Sequence, residues 1–244
     1  MPDFTIRTML PELMDQPEAQ EAETRMALKE IDTINHLLGG YSVIFDALDK
    51  LSWSDKTVRI MDLGCGGGDM LRAVADWALK NKRHVDLIGI DWNPVMTSYA
   101  REESIVFPNI HFKTMNVLDD RLMDEKADVI INSLFCHHFD NEELVTLVQR
   151  MYNLASQAVV INDIHRHWFA YYSIKALTAL FSRNPLVKYD AALSVARSLT
   201  RKEWENTLQQ ARISNYSLRW MWAWRWQIII TKENQNAGSS QQGK

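Results

Sequence analysis

Cysteine is nearly absent: the 244-residue chain has two, Cys65 and Cys136. Two thiols cannot build a disulfide framework, and their separation is not that of metal ligands, so a reducing cytoplasm and no metal site are expected. Long apolar runs are missing too. The best stretch, 169–181, is interrupted by Lys175 and falls short of the roughly 20 residues that a membrane span needs. Met1–Leu10 lacks the basic-then-apolar order of a secretory signal. Excess charge is small, a net −4, which gives no whole-chain reason to expect nucleic acid or a membrane as partner. No glycine precedes Lys-Ser or Lys-Thr, which excludes a nucleotide P-loop. There is no internal repeat. Glycine itself is scarce, nine in all, and four of the nine fall within residues 62–69.

What is there is 46% hydrophobic residues in a chain long enough to bury a full core. One α/β domain with an added cap is the economical reading. Charge is uneven: the segment 164–202 carries seven Lys/Arg against one acid, Asp190, and the first sixty residues lean acidic. The tail 233–244 is rich in Gln, Ser and Gly and is expected to be disordered.

Helical periodicity over 21–38 places Leu28, Ile31, Ile34, Asn35 and Leu38 on one face, and Gly39-Gly40 stops that helix. A second short helix is expected over 42–51. These elements make residues 1–56 an N-terminal helical cap. The core, 57–232, then alternates. Strands are expected over 58–62, 86–90, 110–114, 127–132 and 158–162, with helices between them. Asn93-Pro94 and Asp140 with Glu143 serve as helix starts. This order demands an α/β doubly wound, mostly parallel sheet with helices on both faces. A helical lid insertion over 164–199 interrupts it. Thr200 and Glu203 then cap a helix through 211. Two strand-like runs, 213–220 and 224–231, lie too close together for a crossover and form an antiparallel hairpin. That ending points away from the plain dinucleotide-binding fold.

The strongest local signal is Asp62-Leu63-Gly64-Cys65-Gly66-Gly67-Gly68-Asp69, between the first strand and the first core helix. Glycine there permits positive φ and lets a ligand touch the backbone. In such sheets ligands lie at the carboxyl ends of the strands. A dinucleotide would need a small third residue where Asp69 stands, and an anionic Asp69 would repel its pyrophosphate. A cationic ligand without phosphate suits the acids. Asp91 ends the second strand, where a carboxylate can accept both ribose hydroxyls.

These residues, the glycine loop with Gly89-Ile90-Asp91, resemble the motifs of class I S-adenosylmethionine (SAM)-dependent methyltransferases. The resemblance covers roughly 58–162 and is extended by the terminal hairpin. It implies a seven-stranded, Rossmann-like methyltransferase sheet with SAM over the strand ends. Gly64, Gly66 and Gly68 would flank its methionine part, with Asp62 and Cys65 among the cofactor-binding residues of the same loop. Asp91 would hold the ribose with Trp92 beside it. Asn116, in place of the family's usual Asp, and Val117 would meet the adenine, and Asn132 would mark a main-chain contact after the fourth strand. Shorter stretches, Glu12-Leu13-Met14-Asp15, Ile34 to Gly40, Asn162 to His167, and Leu193-Ser194-Val195 before Arg201 to Trp204, resemble a bacterial subgroup linked to type III polyketide and other natural-product pathways.

Methyl transfer needs the acceptor held at attack distance, and a base only where the acceptor must lose a proton. His138, of the His137-His138 pair, is the base candidate; the same pair could instead pack against the helix after Asp140. His165 is a second candidate and Arg166 could neutralise an anionic acceptor; the structural alternative for this segment is a polar hinge. Phe169, Tyr171, Tyr172, Leu177 and Phe181 offer an aromatic wall for the acceptor pocket. Lys175, Arg183, Lys188 and Arg197 form either a solvated face or a dock for an acidic carrier protein. Trp220, Trp222, Trp224 and Trp226 suit core packing or a homodimer contact.

The expected function is therefore SAM-dependent methylation, on oxygen, of a small, largely apolar phenolic or polyketide-like metabolite. Carbon or nitrogen methylation, and a SAM-binding accessory subunit, are the alternatives. A nicotinamide oxidoreductase is disfavoured by Asp69 and by the hairpin.

Overall fold

The computed structural model describes residues 3–16 and 20–232, so the tail over 233–244 lies outside the described residues. Seven strands form one sheet: β1 (Val58–Leu63), β2 (Val85–Asp91), β3 (Ile110–Thr114), β4 (Ala127–Ser133), β5 (Ala155–Ile164), β6 (Tyr216–Met221) and β7 (Arg225–Thr231). Their order is β3-β2-β1-β4-β5-β7-β6, parallel through β5 and antiparallel in β7 and β6. Chain order reverses between β1 and β4. The connections leaving their carboxyl ends therefore diverge and open a crevice, the usual ligand position in such sheets.

The strands are apolar along nearly their whole length because helices cover both faces. On one face, α5 (Asn141–Leu154) and α8 (Arg201–Gln210) pack Leu144, Leu147, Trp204 and Leu208 against Met61, Leu63 and Ile130. On the other, α2 (Gly40–Leu48) and α3 (Asp69–Lys80) pack Ile44, Leu48, Leu71 and Val74 against Ile60, Leu87 and Ile131. Each of these large side chains contributes about 1.5–3 kcal/mol by leaving water.

The helix starts follow the expected chemistry. Asn93 Oδ1 accepts from Val95 N at the head of α4 (Pro94–Glu103). Asp140 and Glu143 form a reciprocal capping box on α5. Glu203 accepts from the backbone of Thr200 at 2.7 Å. The expected single lid insertion is two helices, α6 (Trp168–Phe181) and α7 (Pro185–Arg197). Asn184-Pro185 divides them: Pro cannot continue a helix but suits its first turn, and Asn184 caps Leu186 N at 2.8 Å.

A third apolar cluster lies over the strand ends. Leu28 of α1 (Glu21–Leu37), Met96 and Tyr99 of α4, and Leu186 and Val187 of α7 meet Met14 there. Met14 belongs to a segment, 3–16, that crosses α7 as a strap. Thr8 N donates to Ala196 O at 3.3 Å, Arg7 Nε to Arg197 O at 2.7 Å, and Leu13 N and Met14 N to the Asp190 carboxylate at 2.8 and 3.0 Å. Among the described residues no helix is long and apolar enough to cross a membrane. Both cysteines are free and buried.

The tryptophan alternation is broken by the turn between β6 and β7, where Trp224 takes a left-handed conformation with φ 50°. Trp226 is buried and its Nε1 donates to Leu199 O at 3.1 Å, whereas Trp220 and Trp222 are exposed.

Candidate active site

A cavity of about 470 Å³ opens at the carboxyl ends of β1, β2 and β4, roofed by α1, α7 and the strap. Its first end is the glycine loop. Gly64, Gly66 and Gly68 all have positive φ, at 76°, 49° and 73°. At Gly64 a Cβ would also stand 2.2 Å from the ring of Phe135, so a larger residue is refused twice. At Gly66 a Cβ would meet nothing closer than 4.0 Å, because the space beside it is the cavity itself.

Asp91 ties this loop to β2. Its Oδ2 accepts from Gly66 N and its Oδ1 from Asn93 N, both at 2.9 Å. Asp62 and Asp69 line the same end. Asp69 accepts from Tyr41 Oη at 2.8 Å and from Asn35 Nδ2 at 3.4 Å. Asp62 is buried, and its Oδ1 has no hydrogen-bond partner among the described residues. Burial pushes the Asp62 carboxyl well above the ordinary range, and the neighbouring charges of Asp69 and Asp91 push it further. Burial likewise raises the Cys65 thiol, which lines the cavity as an inert group. A buried carboxyl left without a partner beside two others is met either by a proton or by a cationic ligand that displaces it.

Arg225, at the start of β7, lines the cavity as well. Its Nε and Nη1 lack partners, and Nη2 reaches Asn35 Oδ1 only at 3.5 Å. Burial lowers the guanidinium to about 10, against the pull of Asp163. Asn35 thus stands between Asp69 and Arg225.

Trp92, Asn116 and Val117 line the cavity near Asp91. Asn116 Oδ1 is engaged in a turn, accepting from Leu118 N at 2.9 Å, and a second lone pair of the amide oxygen is left for a ligand.

The second end is built by residues far apart in sequence. His137 and His138 sit in a 3-10 turn (Cys136–His138) after β4. His137 Nδ1 lies 2.7 Å from Asp163 Oδ1, and His138 Nδ1 lies 2.7 Å from Asp15 Oδ2. Glu12 of the strap faces both rings, its Oε1 3.5 Å from His137 Nε2 and its Oε2 3.7 Å from His138 Nε2. Burial raises the Glu12 carboxyl, but His137, His138 and Ser194 outweigh it and hold the group at about 2. Burial lowers the His137 imidazole, but Asp163 and Glu12 outweigh it and raise it to about 9. Glu12, Asp15, His137 and His138 all line the cavity. Between this corner and the glycine loop the wall is apolar, with Leu28, Ile31, Ile34, Ile174 and Val187.

Three expectations are corrected. Asn132 is fully buried and is not among the residues lining the cavity, which are Ser133 and Leu134 at this edge: its Nδ2 donates to Leu63 O at 2.6 Å and its Oδ1 accepts from Cys136 Sγ at 3.0 Å, so its side chain braces β1 against the turn after β4. His165 is not among the residues lining the cavity; it packs on Trp226 with ring centroids 4.7 Å apart, because Ile164 and His165 run alongside Arg225 and Trp224 at the start of β7. Arg166 is also turned away. It is buried and clamps the strap and α8 through Phe4 O, Ser198 O and Glu203.

The aromatic wall is not where the helical face suggested. Phe169, Tyr172 and Phe181 are exposed, and Ile174 is the α6 residue that reaches the cavity. Arg197, read as part of a basic outer face, is buried and holds the carbonyls of His137 and His138 at 3.2 and 2.8 Å. Glu12, Asp15, Asp163 and Arg225 are the site residues to which the sequence assigns no role. The acidic Glu12-Leu13-Met14-Asp15 stretch was the one signal available for the strap.

Residues 60–157 match the family described as "Methyltransferase domain". No curated protein matches the chain. Among solved structures the chain is similar to the plantazolicin methyltransferase BpumL in complex with SAH. That similarity has 17% identity and a TM-score of 0.62, and covers 88% of this chain and 96% of the other. It is also similar to an O-methyltransferase family 2 protein from Planctomyces limnophilus in complex with apigenin, at 16% identity and a TM-score of 0.63, over 90% of this chain and 63% of the other. A third similarity, to a protein assigned as an O-methyltransferase from Nostoc punctiforme, has 14% identity and a TM-score of 0.56 over 83% of this chain. The chain spans 59% of the length of the Nostoc protein. The chain thus has the methyltransferase fold, and the residues that match the methyltransferase family, 60–157, carry the glycine loop and Asp91.

Proposed function

We propose that the chain binds SAM at the glycine loop and transfers its methyl group to a hydroxyl of a small, largely apolar, phenolic or polyketide-like acceptor. The observation that carries this reading is the buried Asp62 carboxylate, unpartnered at Oδ1, beside Asp69 and Asp91 and next to open space over Gly66. A diphosphate would be repelled there. A ligand with an ammonium and a sulfonium charge satisfies the carboxylates. The amino-acid part of SAM also carries a carboxylate, for which Arg225 offers two unpartnered guanidinium nitrogens, Nε and Nη1, in the same cavity. When bound, SAM supplies an electrophilic methyl group.

This chain's residues do the rest. Asp91 accepts the ribose hydroxyls with Trp92 alongside. The backbone of Gly64, Cys65 and Gly66 lies against the methionine part. Asn116 and Val117 border the adenine. The apolar wall of Leu28, Ile31, Ile174 and Val187 holds the acceptor and excludes water. Of the two histidines expected to act on the acceptor, His138 is the one that reaches the cavity. The hydroxyl proton is drawn off at its corner, beside Glu12 and His137. The SAH complex of the BpumL enzyme and the apigenin complex of the Planctomyces protein support a SAM-derived cofactor and an aromatic acceptor for this fold.

Calorimetry with SAM and with NADH tests the cofactor, and turnover of a panel of phenols tests the acceptor. Binding of SAM with methylated phenol as product is expected. Binding of NADH in place of SAM would end the proposal.

A further inference from the structure

We propose that Glu12, His137 and His138 form a binding site for one divalent transition-metal ion, held by the Nε2 atoms of the two imidazoles and by the Glu12 carboxylate. The site occupies the acceptor end of the cavity, so its role in the reaction rests on the methyltransferase reading, while ion binding itself does not.

The orientation of the rings is the first argument. Each Nδ1 lies 2.7 Å from a carboxylate oxygen, of Asp163 for His137 and of Asp15 for His138. A carboxylate only accepts, so each Nδ1 is the donor, and each Nε2 offers its lone pair once an ion takes the place of any proton there. Carboxylates behind the rings are the usual outer support of metal-binding histidines. Here both lone pairs face the same third residue.

Distance is the second argument. Metal bonds of about 2.0–2.2 Å at tetrahedral or octahedral angles set neighbouring ligand atoms roughly 3.0–3.5 Å apart. Glu12 lies 3.5 Å from one Nε2 and 3.7 Å from the other, and one ligand atom from each residue falls within 4.8 Å of the others. The ligand atoms draw together onto the ion to complete the set.

The third argument is charge and rigidity. Three carboxylates, Glu12, Asp15 and Asp163, face the two imidazoles; the Arg7 and Arg225 guanidiniums lie near Asp163, which leaves Glu12 and the two Nε2 atoms to share protons or a metal ion. The ligands are fixed in advance. Ser194 Oγ donates to Glu12 at 2.7 Å, and Arg197 and Arg7 grip the backbone carbonyls of the histidine turn.

Two imidazoles and one carboxylate, with no thiolate, suit Zn²⁺, Co²⁺, Mn²⁺ or Fe²⁺ and leave coordination positions open toward the cavity. Those positions select an acceptor with two neighbouring oxygens, such as a catechol or an enediol. With the ion bound, His138 serves as its ligand in place of a proton acceptor, and the hydroxyl releases its proton to water more readily beside the ion. Its oxygen then forms the C–O bond as the C–S bond breaks and the sulfur leaves as a neutral thioether.

The test uses the full chain, stripped with a chelator and dialysed separately against Co²⁺ and Zn²⁺. Elemental analysis reads ions per chain, and visible absorption reads the Co²⁺ environment. One ion per chain with ligand-field bands is expected. His138→Ala and Glu12→Gln are each expected to weaken uptake at least tenfold and to remove the bands, while His165→Ala keeps both. Thermal melts confirm folding, and His138→Gln replaces His138→Ala if the latter does not fold. No uptake by the folded protein, or uptake unchanged in both variants, overturns the site. SAM calorimetry on the same samples separates the two readings: SAM binding without ion uptake removes the metal site and leaves the methyltransferase, and the converse removes the methyltransferase.

Discussion

His138 Nδ1 lies 2.7 Å from Oδ2 of Asp15, a residue 123 positions earlier in the chain. The strap that carries Asp15 therefore does more than cover α7: it brings Glu12 and Asp15 to the end of β4 and completes the polar corner of the cavity. His138→Ala should lower kcat by about 10²–10⁴-fold, the range for loss of a group that handles a proton. SAM affinity should change far less than kcat, since the close polar contact of His138 is to Asp15 and not to Asp91 or the glycine loop. His165→Ala should leave both intact. Steady-state kinetics with calorimetry checks all three; a loss in His165→Ala equal to that in His138→Ala would show that the acceptor site is misplaced.

Asp91 is the acid at the centre of the cofactor end. Asp91→Ala should weaken SAM binding by about 1–3 kcal/mol, as expected when a charged acceptor is removed. The same change frees Gly66 N and Asn93 N, so some loss of stability should accompany it. Unchanged affinity by calorimetry would mean the ribose lies elsewhere.

SAM affinity should rise with pH. Burial first, then Asp69 and Asp91, hold the free Asp62 carboxyl above the ordinary carboxylate range, so it binds a proton that a cationic ligand must displace. Binding then releases that proton, and affinity increases as pH climbs through the raised pKa. Asp62→Asn should flatten the slope. A slope of the same size in this variant, measured by calorimetry across pH, would assign the proton to another group.

Gly64→Ala should destabilise the fold by about 1–3 kcal/mol through overpacking against Phe135, with a left-handed φ as a further cost. Adding Phe135→Ala should recover the packing part only. Urea denaturation of the two single variants and the double variant reads the coupling; strict additivity would show that the ring moves aside freely.

The Arg166–Glu203 pair should make stability acid-sensitive. Burial raises the Glu203 carboxyl, but Arg166 and the Thr200 backbone outweigh it, so its folded pKa is depressed. A depressed carboxylate stabilises above its unfolded pKa, about 4.3, and loses that stability as pH falls through the folded value. Glu203→Gln should cost about 1 kcal/mol at pH 7, a figure reduced because the Glu203 side chain is 33% exposed. The cost should vanish at strongly acid pH. Thermal melts across pH check this, and a cost independent of pH would assign it to the helix cap.

The alternating core was legible because its signals are local. A parallel strand buried on both faces reads as a continuous apolar run, and Asn93-Pro94 or Asp140 with Glu143 act within one helical turn. The glycine loop was legible for the same reason. The division of the lid at Asn184-Pro185 was equally local but was read through.

Other features were decided by long-range contact. His165 and His138 look alike in sequence, each following a strand that ends at the ligand edge. The antiparallel entry of β7 beside β5 gives His165 the Trp226 ring to pack on, while the strap gives His138 a carboxylate and a cavity wall. The outward aromatic face of α6 and the buried Arg197 follow from how α6 and α7 pair, which helical periodicity within one segment does not contain.

By itself, the order of residues determined the strands, the caps and a loop of bare backbone flanked by acids, since each depends on neighbours a few positions apart. Only tertiary structure decided which histidine faces the cavity, where Arg225 points and how Glu12 reaches the far corner. Those outcomes depend on segments more than a hundred residues apart meeting at one edge of the sheet, and such meetings are set by the packing of whole elements.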